Sequence, residues 1–292
     1  MRNFDVFCGI DWSGAKSPVN TKSIAVSVCS RAPNSLELFP DIRSRQAVAD
    51  WIEVQAKSLV SKRMFIGIDC NFGYARKIGA KQFGVDYSYR DLWTAVEDAN
   101  QDTPNFFAGG FWGHSTYKDY FWETGKKPEG FDMPRRVTET ACGEAGIGWP
   151  ESPFKLIGAK QVGKGGLAGM RMAYYLKQKL GDQICFWPFE RELADKAQIV
   201  ISEIYPRQFI KRAGLGNKKL DAYSLNEALA YFKTAPLCLN SVSDHDADAL
   251  VSAAGLRYWC GEDVHIPNAL SHPKQLSEKE ALTEGWIFGV GY

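Results

Sequence analysis

A switch from strand to helix patterning and back within residues 4–69 sets the fold class of this chain. Phe4 to Ile10 is a short apolar run mixing β-branched and aromatic residues, the composition of a buried strand. Ser23 to Cys29 alternates apolar with polar residues, as a half-buried strand does. A turn signal at Ala32-Pro33-Asn34 leads to a third short run, Leu36 to Phe39. Connections this short join antiparallel neighbours. Val48, Trp51, Ile52, Val54, Leu59 and Val60 then give a helix with an apolar stripe over residues 45–60. Arg63 to Asp69 returns to a buried strand, and the helix before it lets it join parallel to the first. The expectation is an α/β protein with a mixed sheet, three antiparallel strands followed by parallel ones, flanked by helices.

From about Gly73 to Ala194 glycine, proline and aromatic residues dominate and periodicity weakens. Phe106, Phe107, Phe111, Trp112, Tyr117, Tyr120, Phe121 and Trp122 all fall in this stretch. It reads as a large insertion, residues 75–195, into a core made of residues 1–74 and 196–292. Within it a helix is expected over Leu167 to Leu180 and a strand over Ile184 to Phe189. Strand-like sequence resumes at Gln198 to Ile204, followed by a helix that starts on Pro206 and runs to about Arg212. Leu225 to Phe232 and Ser243 to Tyr258 are further helices, the latter with Ala247, Leu250, Val251, Ala254 and Tyr258 on one face. Trp286 to Val290 is a candidate terminal strand.

A chain of 292 residues can bury a substantial core without staples. Its 35 basic residues against 34 acidic ones leave a net charge of +1, so a nucleic-acid partner would need a local basic patch. Seven cysteines lie scattered with no C-x-x-C pair, which argues against a disulfide framework or a zinc ribbon and for reduced thiols in the cytoplasm. The first apolar run is too short for a signal peptide, and none approaches the length of a membrane span, so no membrane partner is expected.

Acidic residues recur at informative places. Asp11 closes the first strand in Gly9-Ile10-Asp11-Trp12-Ser13-Gly14-Ala15-Lys16, and Asp69 closes the fourth in Gly67-Ile68-Asp69-Cys70-Asn71-Phe72-Gly73. If the two strands are parallel neighbours, both carboxylates emerge at the carboxyl edge of the sheet, where open α/β sheets bind ligands. An acid before a small-residue turn is also an ordinary turn residue, but the pattern occurs twice. Glu203 sits in an apolar run, where a carboxylate is costly unless paired, protonated or metal-bound, and a buried ion pair is the rival explanation. Asp244, His245, Asp246 and Asp248 crowd the start of the helix after Ser243. Ser243 suits an N-cap, and acids in a first turn favour the helix dipole, which accounts for Asp244 and Asp246 without any site. Asp248 lies past that turn and three residues from His245. Converging carboxylates repel one another unless a cation neutralises them, and hard cations such as Mg²⁺ take oxygen ligands. Paired ions can activate water in phosphodiester hydrolysis.

Gly-Ile-Asp on the first strand, Ile68-Asp69 on the fourth, and His245 three residues before Asp248-Ala249-Leu250 on a late helix together resemble the RNase H-like superfamily, above all its RuvC-type resolvase branch. The pattern is similar, more closely, to the family of predicted RNase H-like nucleases called domain of unknown function 429. There the resemblance adds Glu203-Ile204-Tyr205-Pro206 and Glu284-Gly285-Trp286-Ile287. It covers residues 4–74 and 196–292 and part of 154–169. What it implies is an RNase H-like core and a nuclease dependent on Mg²⁺ or Mn²⁺. Asp11, Asp69 and Asp248 would hold metal, with Asp244 a further ligand candidate. Glu203 or His245 would complete the site or assist proton transfer. Trp12, after the first Asp, would narrow access or stack on a base.

Residues 155–181 add Lys155, Lys160 and Lys164 among interleaved glycines, and Arg135-Arg136 stands upstream. Glycine-rich backbone with lysines can approach phosphates, and aromatic residues can stack on unpaired bases. These residues are the candidate nucleic-acid contacts, although a segment of this size also needs aromatics for packing. Two other functions fit the same strand–Asp–turn start: an actin-like ATPase or phosphotransferase, which would carry two copies of the core, and a non-catalytic nucleic-acid-binding module.

Overall fold

The computed structural model describes residues 4–16, 23–32, 35–129, 131–158, 161–216, 218–260 and 270–291. The strands are β1 (Val6–Asp11), β2 (Ala25–Ser30), β3 (Leu36–Leu38), β4 (Met64–Ile68), β5 (Ile184–Trp187) and β6 (Ile199–Glu203). They form a six-stranded sheet in the order β3-β2-β1-β4-β6-β5. Strands β1, β2 and β3 pair antiparallel, whereas β1, β4, β6 and β5 run parallel. The mixed sheet read from the sequence is therefore present, with β1 and β4 as adjacent parallel strands.

Helices cover both faces: α1 (Arg45–Ser58), α2 (Arg76–Phe83), α3 (Tyr89–Asp98), α4 (Gly109–Gly113), α5 (Val137–Glu144), α6 (Gly163–Leu180), α7 (Pro206–Arg212), α8 (Ala222–Tyr231), α9 (Asp244–Cys260) and α10 (Glu278–Ala281). One core lies between the sheet and α1, α3 and α6, where Val48 and Ile52 meet Trp93, Met170 and the strand residues Ile66 and Ile68. A second core lies between the opposite face and α7, α8 and α9, built on Phe7, Phe65, Phe209 and Leu250. Residues 75–195 do not stand apart as an inserted subdomain. They supply β5 to the sheet and α3 and α6 to the first core, because α1 alone leaves most of that face bare.

Two expected elements differ in form. Helix α6 starts four residues before Leu167, on Gly163, despite the poor helix propensity of its glycines. Trp286 to Val290 is buried but is not a strand. Only Ile287 bridges to Glu203, and left-handed glycines at Gly285 (φ 74°) and Gly289 (φ 86°) coil the backbone around its apolar side chains.

Position 9 decides how α9 sits. Strand alternation sends Phe7, Gly9 and Asp11 to the α9 face. A Cβ on Gly9 would lie 2.3 Å from the carbonyl oxygen of Ala249 and 2.6 Å from the amide nitrogen of Ala253. The helix backbone therefore rests directly on β1, and its small residues Ala249, Ser252 and Ala253 are buried there. Gly9→Val drives two rigid backbones apart. It is expected to cost about 1–3 kcal/mol, read as a lower urea midpoint with an unchanged m-value.

Candidate active site

Asp11 ends β1 and Asp69 follows β4. The register pairs Gly9 with Gly67 and Ile10 with Ile68, so the next residues, Asp11 and Asp69, are neighbours on the α9 face. The Asp69 amide donates to the Ile10 carbonyl at 2.9 Å, which holds the β4 turn against β1. The third group comes from α9. Ser243 caps the helix, its Oγ accepting from the Asp246 amide at 3.1 Å. His245 and Asp248 then fall at i and i+3 on the side facing β1. Nδ1 of His245 and Oδ2 of Asp11 share a hydrogen bond of 2.6 Å.

The electrostatics follow from burial and crowding. Burial pushes the Asp69 carboxyl well above its usual range, and the charges of Asp11, Asp248 and Glu203 push it further. Asp248 is pushed up to about 7 by burial and then by Asp11, with Arg207 pulling the other way. Asp11 is raised by burial against the opposing effect of His245, and His245 is raised chiefly by its hydrogen bond to Asp11. Asp69 and Asp248 open into a cavity of about 320 Å³ at the carboxyl edge, and Asp244 lies on its wall. Asp244 itself is exposed and ion-paired with Lys219.

Glu203 belongs to a different assembly. The β4–β6 register pairs it with Ile68, not with Asp69. It is thus one residue out of step and leaves the sheet on the face opposite to Asp11 and Asp69. Its two oxygens lie 2.6 and 2.8 Å from the Arg136 guanidinium. Arg136, only 1% exposed, also donates to Glu139 at 2.9 Å and to the Glu284 carbonyl at 2.7 Å. Burial raises the Glu203 carboxyl and Arg136 opposes it. Both expectations for this pair are corrected. Arg136 is a buried counter-ion whose guanidinium is taken up by Glu139, Glu203 and the Glu284 carbonyl, and Glu203, although both residues line the cavity, is occupied by that counter-ion. Glu284 completes the assembly by accepting from the first amides of two helices, Arg76 at 2.7 Å and Val137 at 2.8 Å.

The expected nucleic-acid contacts are mostly engaged elsewhere. Trp12 is buried, and its indole donates to the Gly165 carbonyl at 3.0 Å, tying β1 to α6 instead of meeting a base. Lys155 pairs with Glu151 at 3.0 Å. Lys164 pairs with Glu123 at 2.5 Å and lies over the Trp112 ring. Lys160 is outside the described residues. The glycines at the start of α6 serve packing, since a Cβ on Gly166 would lie 2.1 Å from the Asn71 side chain in the turn after Asp69. None of the eight aromatic residues at 106–122 is exposed. Arg135 alone of these candidates is exposed, with its guanidinium over the Trp149 ring.

Sequence reasoning passed over Arg207, Lys218, Lys219 and Trp149, all on the cavity wall. The available signal for Arg207 was its place directly after Pro206, in the first turn of the helix that leaves β6. As the side chains lie, no group of three or more His, Cys, Asp or Glu among the described residues is arranged to hold a metal ion. Asp11, Asp69 and Asp248 nevertheless offer the hard oxygen donors that Mg²⁺ or Mn²⁺ takes. Their mutual repulsion is of the kind a cation relieves. No protein-family model, curated protein or solved structure matches the chain.

Two outcomes test this electrostatic division. Arg136→Met leaves Glu139 and Glu203 buried without a counter-ion and is expected to cost about 3–5 kcal/mol in urea unfolding. Asp248 has the opposite sign. Its carboxyl lies near 4 in the unfolded chain and about 7 in the fold, so the folded state binds the extra proton. That contribution is complete below about pH 4 and is lost as pH rises through about 7. Without metal, Asp248→Asn is expected to flatten this loss and to gain about 1–2 kcal/mol at pH 8, after discounting for solvent in the cavity. Unfolding series at pH 5 and pH 8 measure it.

Proposed function

We propose that this protein is a divalent-metal-dependent phosphodiesterase acting on nucleic acid, built on an RNase H-like core. The observation that carries the reading is the meeting of Asp11, Asp69 and Asp248. They come from the ends of two adjacent parallel strands and from one helix, and two of them, Asp69 and Asp248, open on a cavity. The strand order, with three antiparallel strands before the parallel ones, agrees with such a core. One sheet among the described residues gives no support to a two-core ATPase.

In this reading Asp11, Asp69 and Asp248 hold Mg²⁺ or Mn²⁺, and Asp244 stays on the rim with Lys219. A bound ion would lower the pKa of its water and stabilise the leaving oxygen. The remaining work falls to the chain itself. His245 shares a hydrogen bond with Asp11 through Nδ1 and is placed to exchange a proton as the charge of the cluster changes. Glu203 is outside the ligand set, because Arg136 occupies both its oxygens.

Titration calorimetry of Mn²⁺ at low salt tests the reading. Wild type is expected to give stoichiometric heat that disappears in Asp11→Asn. Asp69→Asn and Asp248→Asn are expected to lower metal-dependent cleavage of oligonucleotides at least about 100-fold. Absence of heat from wild type, both alone and with a short oligonucleotide, would sink the proposal.

A further inference from the structure

Two cations with no ion-pair partner in the described residues stand at the carboxyl-edge cavity, among basic residues that mostly have one. Lys155, Lys164, Arg136 and Arg171 each have a carboxylate partner, as do Lys177 and Lys219. Arg207 and Lys218, both on the wall of the carboxyl-edge cavity, have no carboxylate in ion-pair contact among the described residues. Of the acids on the same wall, Glu139 and Glu203 are taken by Arg136, Glu151 by Lys155 and Asp244 by Lys219. What remains is a pair of acids, Asp69 and Asp248, with Arg207 and Lys218 on the same wall.

Most of the rest of the wall is apolar, with Pro150, Pro153, Val162, Ile210 and Leu220 among its residues. Trp149 stands with them and is 57% exposed, the one exposed tryptophan among the described residues. Its indole is held in place. Gly143 of α5 leaves room for it, since a Cβ there would come within 2.4 Å of the ring, and Arg135 lies over it at 5.6 Å. A fixed, exposed indole beside unpaired cations is the chemistry of a stacking platform for a base with its phosphate. A cavity of about 320 Å³ is at the small end for ligand pockets and has room for one nucleotide. A duplex would instead need a broad basic track, whereas Lys155, Lys164 and Lys177 are each paired with a carboxylate.

We propose that this cavity receives the base of one unpaired nucleotide against Trp149, with its phosphate at Arg207 and Lys218. The substrate class is then single-stranded or frayed nucleic acid, not intact duplex. The inference rests on the nuclease reading for the role of the acids, but its test reads binding alone. Oligonucleotides carrying 2-aminopurine are titrated in EDTA, where no metal-dependent cleavage occurs, and stacking is read as quenching. A single strand is expected to bind with quenching, and a duplex with the probe paired at least about 10-fold more weakly. Trp149→Ala and Arg207→Ala are each expected to weaken single-strand binding about 10-fold, while Trp149→Phe keeps most of it. Equal binding of both forms, or no effect of Trp149→Ala, overturns the inference. So does failure to bind any oligonucleotide; if wild type still gives Mn²⁺ heat that Asp11→Asn loses, the metal site survives that failure. Quenched single-strand binding without any Mn²⁺ response keeps the inference and fails the nuclease reading.

Discussion

The seat of α9 on β1 governs the geometry of the whole carboxyl edge. With no side chain at Gly9, the helix backbone at Ala249 and Ala253 touches the strand directly. The helix then runs back along the strand. Two residues forward from Gly9 is Asp11, about 7 Å along β1, and four residues back from Ala249 is His245, about 6 Å along α9. The two rises match, and the Asp11–His245 hydrogen bond at 2.6 Å is the consequence. Asp248, next to Ala249, then comes close enough to Asp11 for its charge to be felt. A bulkier residue at position 9 would lift the helix and break all of these relations together.

A single step of register then divides the acids into two sets. Asp69 is in step with Asp11, and Glu203 is paired with Ile68 instead. On one side of that division Arg136 binds Glu139 and Glu203, and Glu284 caps α2 and α5, so these charges hold helices to the sheet. On the other side Asp11 is balanced by His245, and Asp248 by Arg207 and then His245. Buried ion pairs stabilise little by themselves and cost much when broken. The first set therefore acts as a rigid floor, against which the second is kept crowded.

The first four strands were legible because period-two runs and short connections determine their order almost alone, whereas β5 was read as part of an insertion. Asp11 and Asp69 could be placed for the same reason, each two residues after a strand glycine. The role of Glu203 could not, since only the pairing register tells Ile68 from Asp69 as its neighbour. Helix α3 carried readable marks, a Ser88–Asp91 capping box and buried Tyr89, Leu92, Trp93 and Val96, but the surrounding aromatic sequence hid its period. The start of α6 was obscured by glycines that are bad for a helix and necessary for its approach to Asn71. The basic residues misled for a general reason. Lys155, Lys164 and Arg136 look available in sequence, whereas their partners Glu151, Glu123 and Glu203 are fixed by the fold.

Protons now do the balancing at the carboxyl edge. His245 and Asp11 share one, and Asp248, pushed up to about 7, holds another over part of the neutral range. Under the proposed function a cation takes over the same task, so ion and protons compete for one cluster, and binding of the ion must release protons. Crowding alone would favour either occupant. The cavity separates them: a proton is satisfied by the carboxyls themselves, whereas Mg²⁺ keeps waters and accepts phosphate oxygens, for which the opening beside Arg207 has room. A strand phosphate held there would add ligands that no proton can use. Substrate binding would in this way shift the balance toward the metal-loaded state.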